Sequence, residues 1–132
     1  MTKKFKFRVK VYYEDTDAGG VVYYANYLKF LERARSEAIY SLGYTNSGLF
    51  EDYGVLLIVK SCNIEYKKPA KFEDKLDIVS EVVSFTKTSF IMKQNILRNE
   101  ELISIAEIHL VSVDKDGKPS KVPDELKQKL EN

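Results

Sequence analysis

The stretch that decides the fold runs from Tyr12 to Glu37 and reads YYEDTDAGGVVYYANYLKFLERARSE. Its first half, residues 14–24, carries acidic and glycine residues that are typical of an irregular connection. In its second half apolar side chains recur every three or four residues, which predicts an amphipathic helix over residues 25–42. Gly43 stands where a helix commonly ends. We therefore expect a loop that delivers carboxylates to the start of a long helix, which Asn26 or a neighbour caps.

One of these carboxylates, Asp17, lies close to the predicted helix start. The first N–H groups of a helix lack intrahelical partners, and partial positive charge collects there. A carboxylate that faces free amide donors is suited to breaking an activated acyl bond. The residues alone do not choose between Asp15 and Asp17, and a pair that merely turns or caps the loop is the structural alternative.

Strand-like runs on both sides of the helix predict an antiparallel sheet. Short turns separate several of these runs, with Asn99-Glu100 and Asp116-Gly117 as turn signals. Residues 44–54 are predicted to be a loop, and Pro123 is predicted to begin a short C-terminal helix. The predicted strands cover residues 5–11, 55–67, 75–87, 88–98 and 102–114.

The order strand, long helix, four strands, short helix predicts a single α+β domain over residues 1–132. The long helix is the element available to cover the apolar face of the sheet.

Composition excludes several classes of function. The chain has 132 residues, 44% of them apolar and 31% charged, and its net charge of +1 gives little support for nucleic-acid binding. No apolar run approaches the length of a membrane-spanning helix. The single cysteine, Cys62, allows no internal disulfide and is expected to be a buried strand residue. We expect a cytoplasmic protein.

Four segments resemble a known family. The segment Asp15–Tyr27 reads DTDAGGVVYYANY, and FLERARSE follows from Phe30. Tyr66–Leu76 reads YKKPAKFEDKL, and Thr88–Phe90 reads TSF. Together they resemble the 4-hydroxybenzoyl-CoA thioesterase family, in particular its YbgC-like acyl-CoA thioesterase branch.

The resemblance implies the hotdog fold, in which a curved antiparallel sheet of about five strands wraps a long central helix. It implies hydrolysis of an acyl-CoA thioester to a free acid and CoA, with no metal or redox cofactor. It also implies a homodimer with pockets at its interface, often paired into a tetramer, and an association with acyl carrier protein and lipid metabolism.

The resemblance also implies roles for individual residues. Asp17 is the expected nucleophile or general base, and backbone N–H groups around Tyr24 and Ala25 are expected to polarise the carbonyl. Glu32 is expected to touch the acyl group, although a helix ion pair with Arg35 is the structural alternative. Many YbgC-like members carry histidine where this chain has Tyr24. A non-catalytic protein that binds acyl-CoA or acyl carrier protein is therefore the alternative function.

Lysines are the candidates for binding CoA phosphates. The resemblance places Lys87 and Ser89 against the nucleotide. Lys67, Lys68 and Lys71 flank Pro69 and could also reach phosphate, and an ordinary solvated lysine is the alternative for each lysine. No metal site is expected, although Glu14, Asp15 and Asp17 are close in sequence. His109 is expected to be structural.

Overall fold

The computed structural model describes residues 3–132 and contains five strands and three α-helices in that range. The predicted strands and the long helix are present, with ends within two residues of those expected. No helix in residues 3–132 is both long and apolar enough to cross a bilayer. The elements are β1 (Lys4–Lys10), α1 (Asn26–Ser41), α2 (Asn46–Tyr53), β2 (Leu56–Tyr66), β3 (Lys75–Phe85), β4 (Ser89–Arg98), β5 (Glu101–Val113) and α3 (Asp124–Glu131).

The strands form one antiparallel sheet in the order β1-β3-β4-β5-β2. Alternate residues of the central strands are buried, as expected for a sheet covered on one face. The buried face of α1 and these strand residues belong to a single hydrophobic core. The α+β prediction, with the long helix covering the sheet, is therefore confirmed. From α1 the core receives Tyr27, Phe30, Leu31, Ala34, Ala38 and Ile39.

A buried glutamine joins α1 to the middle of the sheet. Gln94 of β4 is fully buried, and its Nε2 donates to the carbonyl of Leu31 and to Oγ of Ser80, both at 3.0 Å. Its Oε1 accepts from Nη1 of Arg35 at 3.0 Å. Because Arg35 turns inward to this amide, the ion pair proposed between Glu32 and Arg35 does not form; Glu32 instead accepts from Oγ of Ser36 at 3.4 Å.

We expect Gln94→Leu to lower the free energy of unfolding by about 2–4 kcal/mol, because it leaves the buried groups of Arg35 and Ser80 without their partner. Urea unfolding followed by circular dichroism measures the change. Asn95→Leu is the matched control, since Asn95 points from the opposite side of the same strand and its Oδ1 has no hydrogen-bond partner among residues 3–132. Equal losses in the two variants would contradict a specific role for the glutamine amide.

Two predictions about the helices were wrong. Residues 46–53, predicted to be part of a loop, form α2. Oγ1 of Thr45 caps this helix by accepting from the N–H of Gly48 at 2.9 Å, and Gly54 ends it with φ of 70°. Both capping signals are present in the sequence, but two helical turns are too short to display a clear apolar period. Pro123 precedes α3 at the N-cap position instead of occupying its first turn.

The edge strand β2 is unusually exposed for an apolar strand. It pairs with β5 on one side, and no strand in residues 3–132 pairs with its other side. Leu56, Ile58 and Val59 are each more than 40% exposed. Cys62 is also exposed, so the prediction of a buried thiol was wrong. The prediction failed because β2 has the composition of a core strand but lies at the edge of the sheet.

Candidate functional site

A tight reversal of the chain precedes α1. The N–H of Asp17 donates to the carbonyl of Val21 at 2.9 Å, and the N–H of Gly20 donates to the carbonyl of Asp17 at 3.0 Å. Gly20 has φ of +78°, a conformation that side chains with a Cβ rarely adopt. Thr16 pairs with Val22 across the reversal. Residues 15–17 are therefore held alongside residues 21–23, which lead directly into the helix.

The structure distinguishes the two aspartates that sequence reasoning could not separate. Oδ2 of Asp15 accepts from the N–H of Tyr12 at 2.8 Å, and its main-chain carbonyl accepts from the N–H of Tyr23 and from Nδ2 of Asn26. Asp15 is thus a structural tie. The side chain of Asp17 is exposed, its Oδ1 accepts from the N–H of Gly19 at 2.8 Å, and its Oδ2 accepts no hydrogen bond within residues 3–132.

The start of α1 presents free backbone donors. Ala25 occupies the N-cap position, and its methyl side chain has no oxygen that could accept a bond from the first turn. The cap predicted from Asn26 or a neighbour is therefore absent from the described residues; Asn26 lies inside the helix, and its Nδ2 donates to the carbonyl of Asp15. The first turn is tight, with the N–H of Asn26 donating to the carbonyl of Tyr23 at 2.8 Å. In the described part of the chain the N–H groups of Tyr24 and Ala25 donate to no acceptor. These are donors of the kind that binds a developing oxyanion.

A cleft of about 270 Å³ lies beside this helix start. Lys67 and Lys68 line it together with Tyr24, whose side chain is 62% exposed at the surface. Each lysine already has an acidic partner: Nζ of Lys67 lies 2.6 Å from Glu65, and Nζ of Lys68 lies 2.6 Å from Glu101. Hydrogen bonds from Lys68 and Arg98 lower the pKa of Glu101 to about 2.

Lys87 and Ser89 lie at the other end of the sheet. Strand β4 runs from Ser89 to Arg98, and Arg98 donates to the carbonyl of Pro69 beside the cleft at 3.1 Å. Nine residues of strand span about 30 Å. Ser89 is buried, its Oγ lies 2.7 Å from Oγ1 of Thr86, and the carbonyl of Lys87 accepts from the N–H of Val122. Within one chain these two residues are therefore not part of the same site as Asp17.

Glu32 borders a second cavity of about 150 Å³, which lies between α1 and the sheet near β2. Its walls are mainly apolar, and Arg35 is the one cation among them. Burial lowers the pKa of the Arg35 guanidinium from its ordinary value, although it stays charged at neutral pH. The lining residues are Glu32, Arg35, Ser36, Ile39, Asn46, Leu57, Val59, Phe90, Met92 and Leu110.

Residues 3–132 contain no group of three or more histidine, cysteine, aspartate or glutamate side chains arranged to hold a metal ion. The carboxylates of Asp15 and Asp17 make separate bonds to the backbone, as described above. His109 is half-buried in β5, opposite Ile91 and Ser61.

Sequence reasoning did not identify the residues that hold the helix start in place. The carbonyl of Ala70 accepts from the N–H of Val22 at 2.8 Å, and its N–H donates to the hydroxyl of Tyr27 at 3.0 Å. Arg98 fixes the same loop through Asp74 at 2.6 Å. The hydroxyl of Tyr66 donates to the carbonyl of Tyr24 at 3.2 Å. These partners are far apart in sequence, so no local pattern indicates them.

Comparison with known proteins gives a consistent result. Residues 11–130 match the model of the thioesterase-like superfamily. The chain is 41% identical over 124 residues to a Haemophilus influenzae protein named acyl-CoA thioesterase YbgC, with 93% of this chain and 91% of that protein covered. It is also 41% identical over 114 residues to the acyl-CoA thioester hydrolase YbgC of Escherichia coli O6:H1, with 86% and 84% covered.

Solved structures agree with the fold. A probable thioesterase from Bartonella henselae superposes with a TM-score of 0.88 at 32% identity, and the match covers 92% of this chain and all of that one. A 4-hydroxybenzoyl-CoA thioesterase superposes with a TM-score of 0.90 at 20% identity, covering 96% and 98%. At that lower identity the likeness concerns the fold alone.

Proposed function

The chain belongs to the thioesterase-like superfamily, and from that premise we propose that it hydrolyses acyl-CoA thioesters to a free acid and CoA. The observation that carries the proposal is the pair of free N–H groups of Tyr24 and Ala25, which follow the Asp17 reversal directly. The relatives named acyl-CoA thioesterases support it, because the best-covered of those described above matches this chain over nearly its full length.

The proposed chemistry uses these groups in turn. The thioester oxygen accepts hydrogen bonds from the N–H groups of Tyr24 and Ala25, and the positive end of α1 stabilises the charge that develops on it. The free oxygen of Asp17 takes a proton from water while the water oxygen bonds to the carbonyl carbon. When the tetrahedral intermediate collapses, the carbon–sulfur bond breaks and Asp17 returns the proton to the thiolate. In the second route Asp17 attacks the carbon itself and the carbon–sulfur bond breaks, so that CoA leaves as a thiolate. Water then cleaves the mixed anhydride to the free acid and the Asp17 carboxylate, and the proton released in this step balances the thiolate. Water is the only co-reactant, so the proposal includes no cofactor.

We further propose that the active unit is a homodimer joined through β2. An exposed apolar edge strand of 11 residues is a surface that proteins usually cover. In antiparallel pairing of two copies, the Tyr66 end of one β2 would lie opposite the Leu56 end of the other. Lys87 and Ser89 of the partner subunit would then approach the first subunit's cleft. This explains how residues about 30 Å apart in one chain can serve one substrate.

Several finer points belong to the same proposal. Lys67, Lys68 and the partner's Lys87 would bind phosphates of CoA, and Glu32 would contact the acyl group from its cavity. We also propose a dimer of dimers, acyl carrier protein as an alternative carrier of the acyl group, and a place in cytoplasmic lipid metabolism.

A second candidate is a non-catalytic protein that binds acyl-CoA or acyl carrier protein. It is favoured by Tyr24, which provides no imidazole at the helix start. The backbone donors that would bind a carbonyl are present in both candidates. The two candidates therefore differ only in whether the carbon–sulfur bond is broken.

Thiol release from a panel of acyl-CoA and aryl-CoA thioesters tests the proposal. We expect turnover of at least about 1 s⁻¹ on one class of acyl group. The assay is run in a Cys62→Ser background, because the exposed thiol of Cys62 would otherwise react with the colorimetric reagent. Saturable binding of acyl-CoA without thiol release, on this panel and on acyl carrier protein thioesters, would favour the second candidate instead.

A further inference from the structure

The carbonyl of Tyr24 accepts two hydrogen bonds at the helix start. One comes from the hydroxyl of Tyr66 at 3.2 Å and the other from the N–H of Tyr27 at 3.3 Å. This carbonyl belongs to the same peptide group as the N–H of Ala25. Because a trans peptide is planar, its C=O and N–H point in opposite directions. Any group that fixes the carbonyl of Tyr24 therefore also fixes the direction of the Ala25 N–H.

Hydrogen bonds to a carbonyl also polarise the peptide group. Charge drawn toward the carbonyl oxygen makes the N–H of the same peptide a stronger donor, which is the basis of cooperative hydrogen-bond chains. The N–H of Ala25 has no acceptor in residues 3–132. This strengthened N–H donor is therefore free to bond to a ligand.

Tyr66 is well held for this task. It ends the edge strand β2, and its ring packs edge-on against the ring of Tyr27, with centroids 5.1 Å apart and planes at 73°. Tyr27 is itself buried, and its hydroxyl accepts from the N–H of Ala70. Burial raises the pKa of the Tyr66 phenol above its ordinary value, so the hydroxyl keeps its proton at neutral pH.

We propose that Tyr66 is a positioning residue for catalysis: its hydroxyl orients and polarises the Tyr24–Ala25 peptide so that the Ala25 N–H is presented to the thioester oxygen. The inference rests on the proposed hydrolysis and adds to it a side chain on a different element. Tyr66 also lines the cleft with Tyr24, Lys67 and Lys68. A role as cleft wall requires the ring alone, whereas positioning requires the hydroxyl.

Tyr66→Phe separates these roles, because it keeps the ring and removes the hydroxyl. We expect kcat to fall by about three- to tenfold, as for loss of one moderate hydrogen bond, and KM to change by less than about twofold. Tyr53→Phe is the matched control. It removes a phenol hydroxyl that donates to Glu125 of α3 at 2.9 Å, and neither residue lines the cleft, so kcat should be unchanged.

The affinities for two unreactive CoA analogues distinguish positioning from a purely structural role, because a structural role would not affect one analogue more than the other. In the ketone analogue a methylene replaces the sulfur and the carbonyl remains, whereas in the thioether analogue a methylene replaces the carbonyl. Tyr66→Phe should weaken binding of the ketone by about three- to tenfold and leave binding of the thioether unchanged. Equal loss for both analogues, or an unaltered kcat, would overturn the inference.

The inference and the proposed function can fail separately. If the wild-type protein releases no thiol, the proposed function fails, and the amide resonance of Ala25 still reports on the hydrogen bond. In Tyr66→Phe that resonance should move upfield, because its peptide group loses polarisation. If the wild-type protein is active and kcat is unchanged in Tyr66→Phe, the inference alone is wrong.

Discussion

Asp17→Asn is expected to lower kcat by about 10²–10⁴-fold while KM for acyl-CoA stays within a few-fold of the wild-type value. Asparagine has nearly the same shape and still accepts the hydrogen bond that Gly19 donates to Oδ1. It cannot take a proton from water or attack a carbonyl carbon as a carboxylate does. The loss should therefore appear in the chemical step, with the reversal at residues 17–20 intact. Steady-state thiol release measures kcat and KM, and thermal unfolding checks that the fold is intact.

Asp15→Asn is the matched control for this experiment. It removes the same charge two residues away, and asparagine can still accept from the N–H of Tyr12. We expect kcat within about threefold of the wild-type value, because the carboxylate of Asp15 is already bonded to the backbone of the loop. If both variants lost activity equally, net charge at the site would be responsible and the specific role of Asp17 would be contradicted.

The elements that sequence predicted well are those with a long, regular pattern. The apolar period of α1 and the alternation along the strands persist over many residues, so their ends were located within two residues. The family resemblance selected Asp17 over Asp15 as the candidate catalytic residue. The residues alone did not distinguish the two, because the distinction depends on hydrogen-bond partners that only the structure provides.

The features that sequence did not predict depend on contacts distant along the chain. Cys62 lies in a run with the composition of a core strand, and only the strand order reveals that β2 is an edge. Gln94 bonds residues of α1 and β3, and Tyr66 bonds a carbonyl 42 residues earlier. Hydrogen-bond partners of this kind leave no periodic signal, because each is a single residue whose role is set by the packing of two elements.

A mixed dimer is expected to combine the wild-type KM with substantial kcat, a combination that neither of its parents has. In a β2-paired dimer each site would take Asp17 from one subunit and Lys87 from the other. The Asp17→Asn homodimer should be inactive, and the Lys87→Glu homodimer should show a KM for acyl-CoA raised by about tenfold through lost phosphate attraction. A dimer with one subunit of each kind has one site with both residues intact. It should show wild-type KM and about half of the wild-type kcat per dimer.

The mixed dimer distinguishes a shared site from a site built by one chain. Co-expression with two different affinity tags isolates the mixed species, and gel filtration checks that its oligomeric state is that of the wild-type protein. If one chain supplied both residues, the site with Asp17 would always carry the altered residue at position 87, and the raised KM would persist. In the described chain Lys87 lies at the end of the sheet opposite the Asp17 reversal, since β4 separates Ser89 from Arg98 at the cleft. Restoration of the wild-type KM would therefore show that the partner subunit completes the active site, as pairing through the edge of β2 requires.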